Sequence, residues 1–382
     1  MRYLIVLLCL LARPAAAEVA VTIGYLKVDV PAPPTLTDLD PVIPDLGLAG
    51  ARVGLAENAT TGRFLGHDYT LDAVTVPVGD DPLPAARDLL SRSPLLLVDA
   101  PAEVLLAVAD ATPGALVFNV SAEDVALRDA SCRANMLHTI PSLAMRTDAL
   151  AQFLVLRRWT DLPLIAGTFP QDVAFADSQR RSLTKFGLRV ADELTWAVDA
   201  DMRRAASAEI PLFTQGFGDY DALLVADEAH DFGRFLMYNT WEARPVVGSE
   251  GLTAVAWAPV VEQWGAAQLQ GRFVEAAGRG MQSVDYAAWA AVRSIGEAVT
   301  RTGSADVEVL RGYLLSDAFA LAGFKGSPLS FRDWNGQLRQ PIALVHPRAL
   351  VATAPLDGFL HQSNEMDSLG LDRPESQCEA YE

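Results

Sequence analysis

Lysine is nearly missing from this chain. Its 382 residues include only Lys27, Lys185 and Lys325. A phosphate-cradling P-loop needs a lysine that follows glycine and precedes serine or threonine. These three follow Leu26, Thr184 and Phe324, so no P-loop is present. The string Asp227-Glu228-Ala229-His230 spells the DEAH box of nucleic-acid-dependent ATPases, but without that loop the match is accidental. Bases of both kinds number 30 against 48 acids, for a net charge of −18. Such a surface repels nucleic acid and anionic lipid headgroups, which excludes nucleic-acid binding. The remaining cations are arginines, whose planar forks grip carboxylates with two hydrogen bonds; an arginine-rich codon bias accounts for the same imbalance.

Catalytic signatures are missing too. There is no G-x-S-x-G elbow, no H-E-x-x-H and no S-x-x-K. The five histidines, His67, His138, His230, His346 and His361, lack metal-ligand spacing. His230 stands among Asp227, Glu228 and Asp231, a set that suits the positive end of a helix better than a metal. The expectation is a protein that is not an enzyme and needs no cofactor.

Long apolar runs are also scarce. Leu4–Leu11 is one, too short for the roughly 20 residues that span a bilayer. With Arg2 before it and Ala15-Ala16-Ala17 after it, the start reads as a secretory signal peptide over residues 1–17, cleaved near Ala17. That predicts export to the periplasm with no membrane insertion. Cys9 leaves with the signal. Cys132 and Cys378 then remain, either as a disulfide or as two separate buried thiols; an oxidising compartment favours the pair.

What is present is apolar bulk: 51% hydrophobic and 20% charged residues exclude disorder. The length predicts at least two lobes. Strand and helix signals alternate: strands near Val19–Leu26, Tyr69–Val78, Leu95–Val98, Ala115–Val120, Leu162–Gly167, Arg189–Leu194, Tyr220–Ala226 and Gln340–Val345, with helices over Leu46–Leu65, Pro101–Ala111, Asp148–Trp159, Asp172–Phe186, Pro259–Gly278 and Tyr286–Arg301. Ser121 and Asp124 look like the cap and first turn of a further helix. This rhythm predicts an α/β fold of mostly parallel sheets flanked by helices. Ligands then sit beyond the carboxyl ends of strands, in loops starting at Lys27, Asp99, Ser121, Thr168, Asp227 and Ser249. Asp357–Glu382 is acidic without periodicity and reads as an extended tail.

An exported two-lobed α/β chain without catalytic motifs resembles the type I substrate-binding proteins of ABC transporters, the group that includes branched-chain amino-acid receptors. A narrower resemblance lies in Cys132-Arg133-Ala134-Asn135-Met136-Leu137-His138-Thr139, in Glu262-Gln263-Trp264-Gly265-Ala266-Ala267-Gln268-Leu269 and in Phe331-Arg332-Asp333-Trp334-Asn335-Gly336-Gln337-Leu338-Arg339-Gln340-Pro341, with Phe359–Gln362 and Leu369–Asp372 in the tail. These segments look like the binding-protein family associated with pyrroloquinoline quinone (PQQ)-dependent alcohol dehydrogenase systems. The resemblance implies two lobes joined by hinge crossings, an ABC permease as partner, a role near methanol or alcohol oxidation and PQQ as a candidate ligand. The alternative is an accessory protein that docks a periplasmic alcohol dehydrogenase or cytochrome.

On this reading lobe one comprises residues 18–143 and 275–323, lobe two 144–274 and 324–355, and the tail 356–382. The expected ligand-binding residues are Tyr25, Lys27, Ser121, Arg146, Phe175, Trp241 and Arg244, which offer aromatic faces and cationic groups to a planar polycarboxylate. Asp227 and Glu250 would face the ligand in the amino-acid receptor pattern, where an acid grips an ammonium. The full hydroxyl pattern of those receptors is missing from Asn119-Val120-Ser121-Ala122-Glu123-Asp124.

Overall fold

Val19–Val28 forms strand β1, whose Ile23, Gly24, Tyr25 and Leu26 are buried in succession. A run of this kind is covered on both faces, as a central strand of a parallel sheet must be. The computed structural model describes residues 19–31, 42–196 and 205–381; the proposed signal segment and much of the Pro-rich loop after β1 lie outside them. β1 pairs in parallel with β2 (His67–Val76) and β3 (Leu95–Asp99), and the sheet continues through β4 (Leu116–Asn119) to β5 (Met136–His138) in the order β2-β1-β3-β4-β5. Helices α1 (Leu48–Leu65), α2 (Leu83–Leu90) and α3 (Ala102–Ala111) connect the first four strands.

A second parallel sheet follows helix α4 (Leu143–Arg157), which Ser142 caps by accepting the Met145 N–H. Strands β6 (Leu164–Ala166), β7 (Glu193–Thr195), β8 (Leu223–Ala226) and β9 (Val246–Gly248) run in the order β7-β6-β8-β9, with α5 (Pro170–Lys185) after β6. Each sheet reverses its strand order once, between β1 and β3 and between β6 and β8. Loops diverge there and leave a crevice.

The chain then returns to the first sheet. Helix Ser283–Thr302 lies on α1 so closely that a Cβ at Gly50 would fall 1.8 Å from the Asp285 carbonyl oxygen. Between the lobes lies an antiparallel sheet of β10 (Thr253–Val255), β14 (Ile342–His346) and β15 (Ala349–Ala354). Successive side chains of a strand point to opposite faces. Accordingly Ile342 and Leu344 join the second core, while Ala343 and Val345 join the first. A smaller antiparallel sheet, β11 (Leu321–Ala322), β12 (Pro328–Phe331) and β13 (Leu338–Arg339), belongs to the first core.

These cores correct the expected division. Ala266, Leu269 and Phe273 pack with the first core, so its return segment starts before Glu275; Leu329, Phe331 and Leu338 keep the chain there beyond Gly323. Gly323, where the expected lobe-one segment ends, lies in the turn between Leu321–Ala322 and Pro328–Phe331 of the small sheet. The C-terminal segment is not an extended tail either. It forms 3-10 turns at Glu365–Ser368 and Arg373–Glu375 and buries Asp367 and Leu369. Asp124 precedes only a 3-10 turn, Val125–Arg128, without a side-chain cap. No helix among the described residues is long and apolar enough to cross a membrane.

Candidate functional site

On the first lobe, Tyr25 and Lys27 end β1, and Lys27 lies in register with Asp99 at the end of β3. The Tyr25 hydroxyl donates to Asp99 Oδ2 at 3.3 Å. Burial, then the Asp99 charge, pushes the Tyr25 phenol up; burial also raises the Asp99 carboxyl, against the pull of Ser121 and Lys27. Ser121 Oγ accepts the Ala100 N–H at 3.0 Å, and Lys27 Nζ donates to the Pro44 carbonyl at 3.1 Å. Gly47 closes over this group at φ +79°, where a Cβ would lie 2.3 Å from the Tyr25 oxygen. Tyr25, Lys27 and Ser121 thus share one wall at the strand ends.

On the second lobe, Asp227 ends β8 fully buried. Its carboxylate accepts the backbone N–H groups of Asp231, Phe232 and Gly233 at 2.8, 2.9 and 2.6 Å. These three donors let it order the loop that follows β8. Asp172 of α5 accepts the N–H groups of Phe169 and Ala229, tying together the loops after β6 and β8. Burial, with the Asp227 charge beside it, raises its pKa to about 6. Glu250 follows Ser249 at the end of β9 and packs on Gly233, where an added Cβ would stand 2.4 Å from Glu250 Cγ.

Arg146 joins the walls. Its guanidinium bonds to Glu123 of the first lobe, to both oxygens of Glu228 at 2.8 and 3.1 Å, and to the Ala254 carbonyl in β10 at 3.0 Å. The buried Phe175 ring lies 5.0 Å beneath it. Ser249 donates to Glu228 at 2.9 Å. Burial penalises all three ions. Arg146 nevertheless stays firmly protonated because two carboxylates face it. Glu228 is held low by Arg146 despite its burial, while burial and the nearby Glu228 charge leave Glu123 raised.

Two expected residues are elsewhere. Arg244 precedes β9, at the amino end of that strand, and pairs with exposed Asp219. It borders an apolar groove of about 360 Å³ lined by Phe153, Trp159, Val246 and Leu252 among others. Trp241 is 57% exposed on the same approach to β9. The crevice is made by carboxyl ends, and this loop feeds an amino end. Asp99, Glu123, Asp172 and Glu228 are not among the ligand-binding residues expected from the sequence. All four stand within a few residues of a strand's carboxyl end or at the start of the helix after one, and position was the available signal. Among the described residues no cluster of histidine, cysteine or acids could hold a metal.

Solved structures share this architecture. A branched-chain amino-acid ABC transporter periplasmic ligand-binding protein from Burkholderia xenovorans LB400 superposes with a TM-score of 0.71 at 15% identity, covering 95% of this chain and all of that one. The fold is the two-lobed periplasmic binding-protein fold of type I. Two further examples are the leucine-, isoleucine-, valine-, threonine- and alanine-binding protein of Brucella ovis in its closed conformation (TM-score 0.66, 14% identity, 86% of this chain and 89% of that one) and an ABC transporter solute-binding protein of R. palustris in complex with benzoate (0.64, 14%, 94% and 99%). No protein-family model matches the chain, and no curated protein matches it in sequence. Within the binding-protein fold, the Arg146 cluster lies where two lobes face one another.

Proposed function

We propose that this chain is a periplasmic solute-binding protein of an ABC transporter, a receptor that closes its two lobes on a small molecule and performs no covalent chemistry. The observation that carries this reading is Arg146, which reaches carboxylates of both lobes at the facing ends of two parallel sheets. A ligand that contacts both walls stabilises the closed arrangement by its differential affinity for it. Tyr25, Lys27 and Ser121 on one wall, with Glu228, Ser249 and Glu250 on the other, are the proposed contacts. The permease is the proposed partner.

The finer reading, service to a PQQ-linked alcohol-oxidation system, rests on the sequence segments around Cys132, Glu262 and Phe331. In the structure two of these segments build scaffold. Arg332 bonds Asp367, Gln337 accepts from Arg128, and Gln340 donates to the Thr139 carbonyl. They therefore support a shared frame more than a shared ligand. PQQ carries several carboxylates, whereas Arg146 is already filled by two and Asp172, Asp227 and Glu250 add negative charge nearby. Charge complementarity favours a neutral or cationic ligand.

Thermal-shift measurements with amino acids, amines, aromatic acids, alcohols, aldehydes and PQQ test both readings. A ligand at 100 times its Kd adds about 2.7 kcal/mol of stability. The expected result is a shift with a neutral or cationic compound that Ser121→Ala and Tyr25→Phe weaken. A shift with PQQ alone would restore the polyanion, and no shift with any class would remove the receptor reading.

A further inference from the structure

The C-terminal segment crosses from the second lobe to the first without slack. Its upstream part is held from both sides, by Asp148 and Lys185 of the second lobe and by Arg332 and Arg339 beside the first core. The Gly370 N–H donates to Asp148 Oδ2 at 2.8 Å, and Lys185 Nζ reaches Asp148, the Gly370 carbonyl and Glu375 at 3.0, 2.7 and 3.3 Å. Phe359 meets Phe186 edge-on at 5.5 Å. Its downstream part is fixed to the first lobe. Ser376 Oγ donates to the Arg128 carbonyl at 3.0 Å, the Tyr381 hydroxyl donates to the Met136 carbonyl, and Cys378 is disulfide-bonded to Cys132. Glu375 and Ser376 are consecutive residues, yet one is held by each lobe.

This crossing runs beside the hinge. A Cβ on Gly370 would lie 2.8 Å from Met145 Cγ and 3.6 Å from Ser142 Oγ, at the junction of the first crossing with α4. Arg332, in the turn between β12 and β13, clamps the same stretch through Asp367 at 2.8 Å and the carbonyls of Met366, Leu369 and Leu371. A rotation that moves α5 away from the Arg128–Cys132 segment must therefore strip Asp148 and Lys185 from Gly370 and Glu375, or pull the segment from Arg332 and Arg128. Covalent attachment leaves Cys378 in place, so the strain falls on the polar contacts upstream of it.

We propose that Asp357–Tyr381 is a disulfide-locked strap, a further connection between the lobes that limits how far they open. This rests on the receptor reading in one respect only: it requires lobes that move. The strap is set by oxidation after export, and its release widens the open state.

Small-angle scattering of the unliganded protein tests it. Oxidised wild type is compared with C132S/C378S, with circular dichroism confirming that each is folded. The expected result is a larger radius of gyration and a broader pair-distance distribution for the double variant. Should that variant not fold, folded wild type is reduced with TCEP and rescanned, and the expansion should reverse on reoxidation. Identical scattering from folded oxidised and strap-free protein overturns the proposal. Arg146→Met provides the separate arm. If it expands the molecule while strap release does not, only the strap falls; if neither changes the scattering, the moving-lobe reading falls with it.

Discussion

Arg146 and Arg332 are both withdrawn from solvent and both bond carboxylates, yet their surroundings are opposite. Arg146 faces two glutamates and donates to only one carbonyl, that of Ala254. Arg332 shares a single carboxylate, Asp367, with Arg339 and fills its remaining donors with three backbone carbonyls. Burial lowers the Arg332 pKa against the pull of Asp367, whereas the paired glutamates raise that of Arg146. Arg128 goes further, bonding only amide and carbonyl oxygens, and burial lowers it to about 9. A guanidinium held by carbonyls fixes a backbone path, because nothing but that backbone can satisfy it. A guanidinium held by titratable side chains from separate lobes can exchange partners. The tail clamp is a fastening, and the Arg146 cluster has the exchangeable partners a latch would need.

The largest effect should come from the fastening. Arg332→Met leaves Asp367 facing Arg339 alone and strands three carbonyls, and breaking a buried pair from one side costs about 3–5 kcal/mol. Urea denaturation should show a loss of that order, with no gain on acidification to pH 5. An Arg332→Met protein as stable as wild type would erase the distinction.

Arg146→Met should cost less, because the cluster can take up a proton. With the cation gone, Glu123 and Glu228 repel one another and Glu123, already raised, rises further. A carboxyl whose folded pKa exceeds its unfolded value adds stability that is complete below the unfolded pKa and lost as pH climbs through the folded one. The variant should therefore be weakest relative to wild type at pH 7–8 and recover towards pH 5, read as the difference in Tm across that range. A pH-independent difference would make Arg146 another fastening.

Asp172 tests the same wall by titration. Its folded pKa of about 6 stands above the ordinary 3.8. By the same sign, its contribution is present below about pH 4 and disappears as pH rises through 6. Carboxyl carbon NMR should show a step near pH 6 that Asp172→Asn removes. The Tm of Asp172→Asn should gain on that of wild type between pH 4 and 7. A step below pH 4 would mean that its two N–H donors outweigh burial.

The two arginine centres also show where sequence stops being informative. The βαβ rhythm was legible because burial on both faces writes itself into continuous apolar runs such as Leu95–Val98 and Leu223–Val225. Helices Leu83–Leu90 and Val307–Leu314 are too short to write a clear period into the sequence. The Arg146 cluster joins residues 23 and 82 positions away, and no local pattern encodes that meeting. The tail escaped because its order comes from individual partners, Asp148 and Arg332 above all, and not from periodicity. Trp241 and Arg244 lie on the loop that enters β9, away from the carboxyl strand ends that hold the Arg146 cluster.

That loop supplies the smallest expected effect and a control for the others. Arg244 pairs with Asp219 in the open, both partners largely in water, and such pairs contribute little because solvent and salt screen them. Trp241 likewise has most of its ring in solvent. Arg244→Ala should leave the Tm unchanged within error at any pH from 5 to 8. Trp241→Ala should lower total tryptophan fluorescence without altering the fractional response to whichever ligand stabilises the protein. Both substitutions remove groups chemically suited to a planar acid, so ligand affinity that falls in either would move the site from the facing carboxyl ends to the outer groove beside β9. Unchanged affinity in both, set against a loss in Ser121→Ala, would leave Arg146 as the only one of the two arginines expected to meet the ligand that lies at the site.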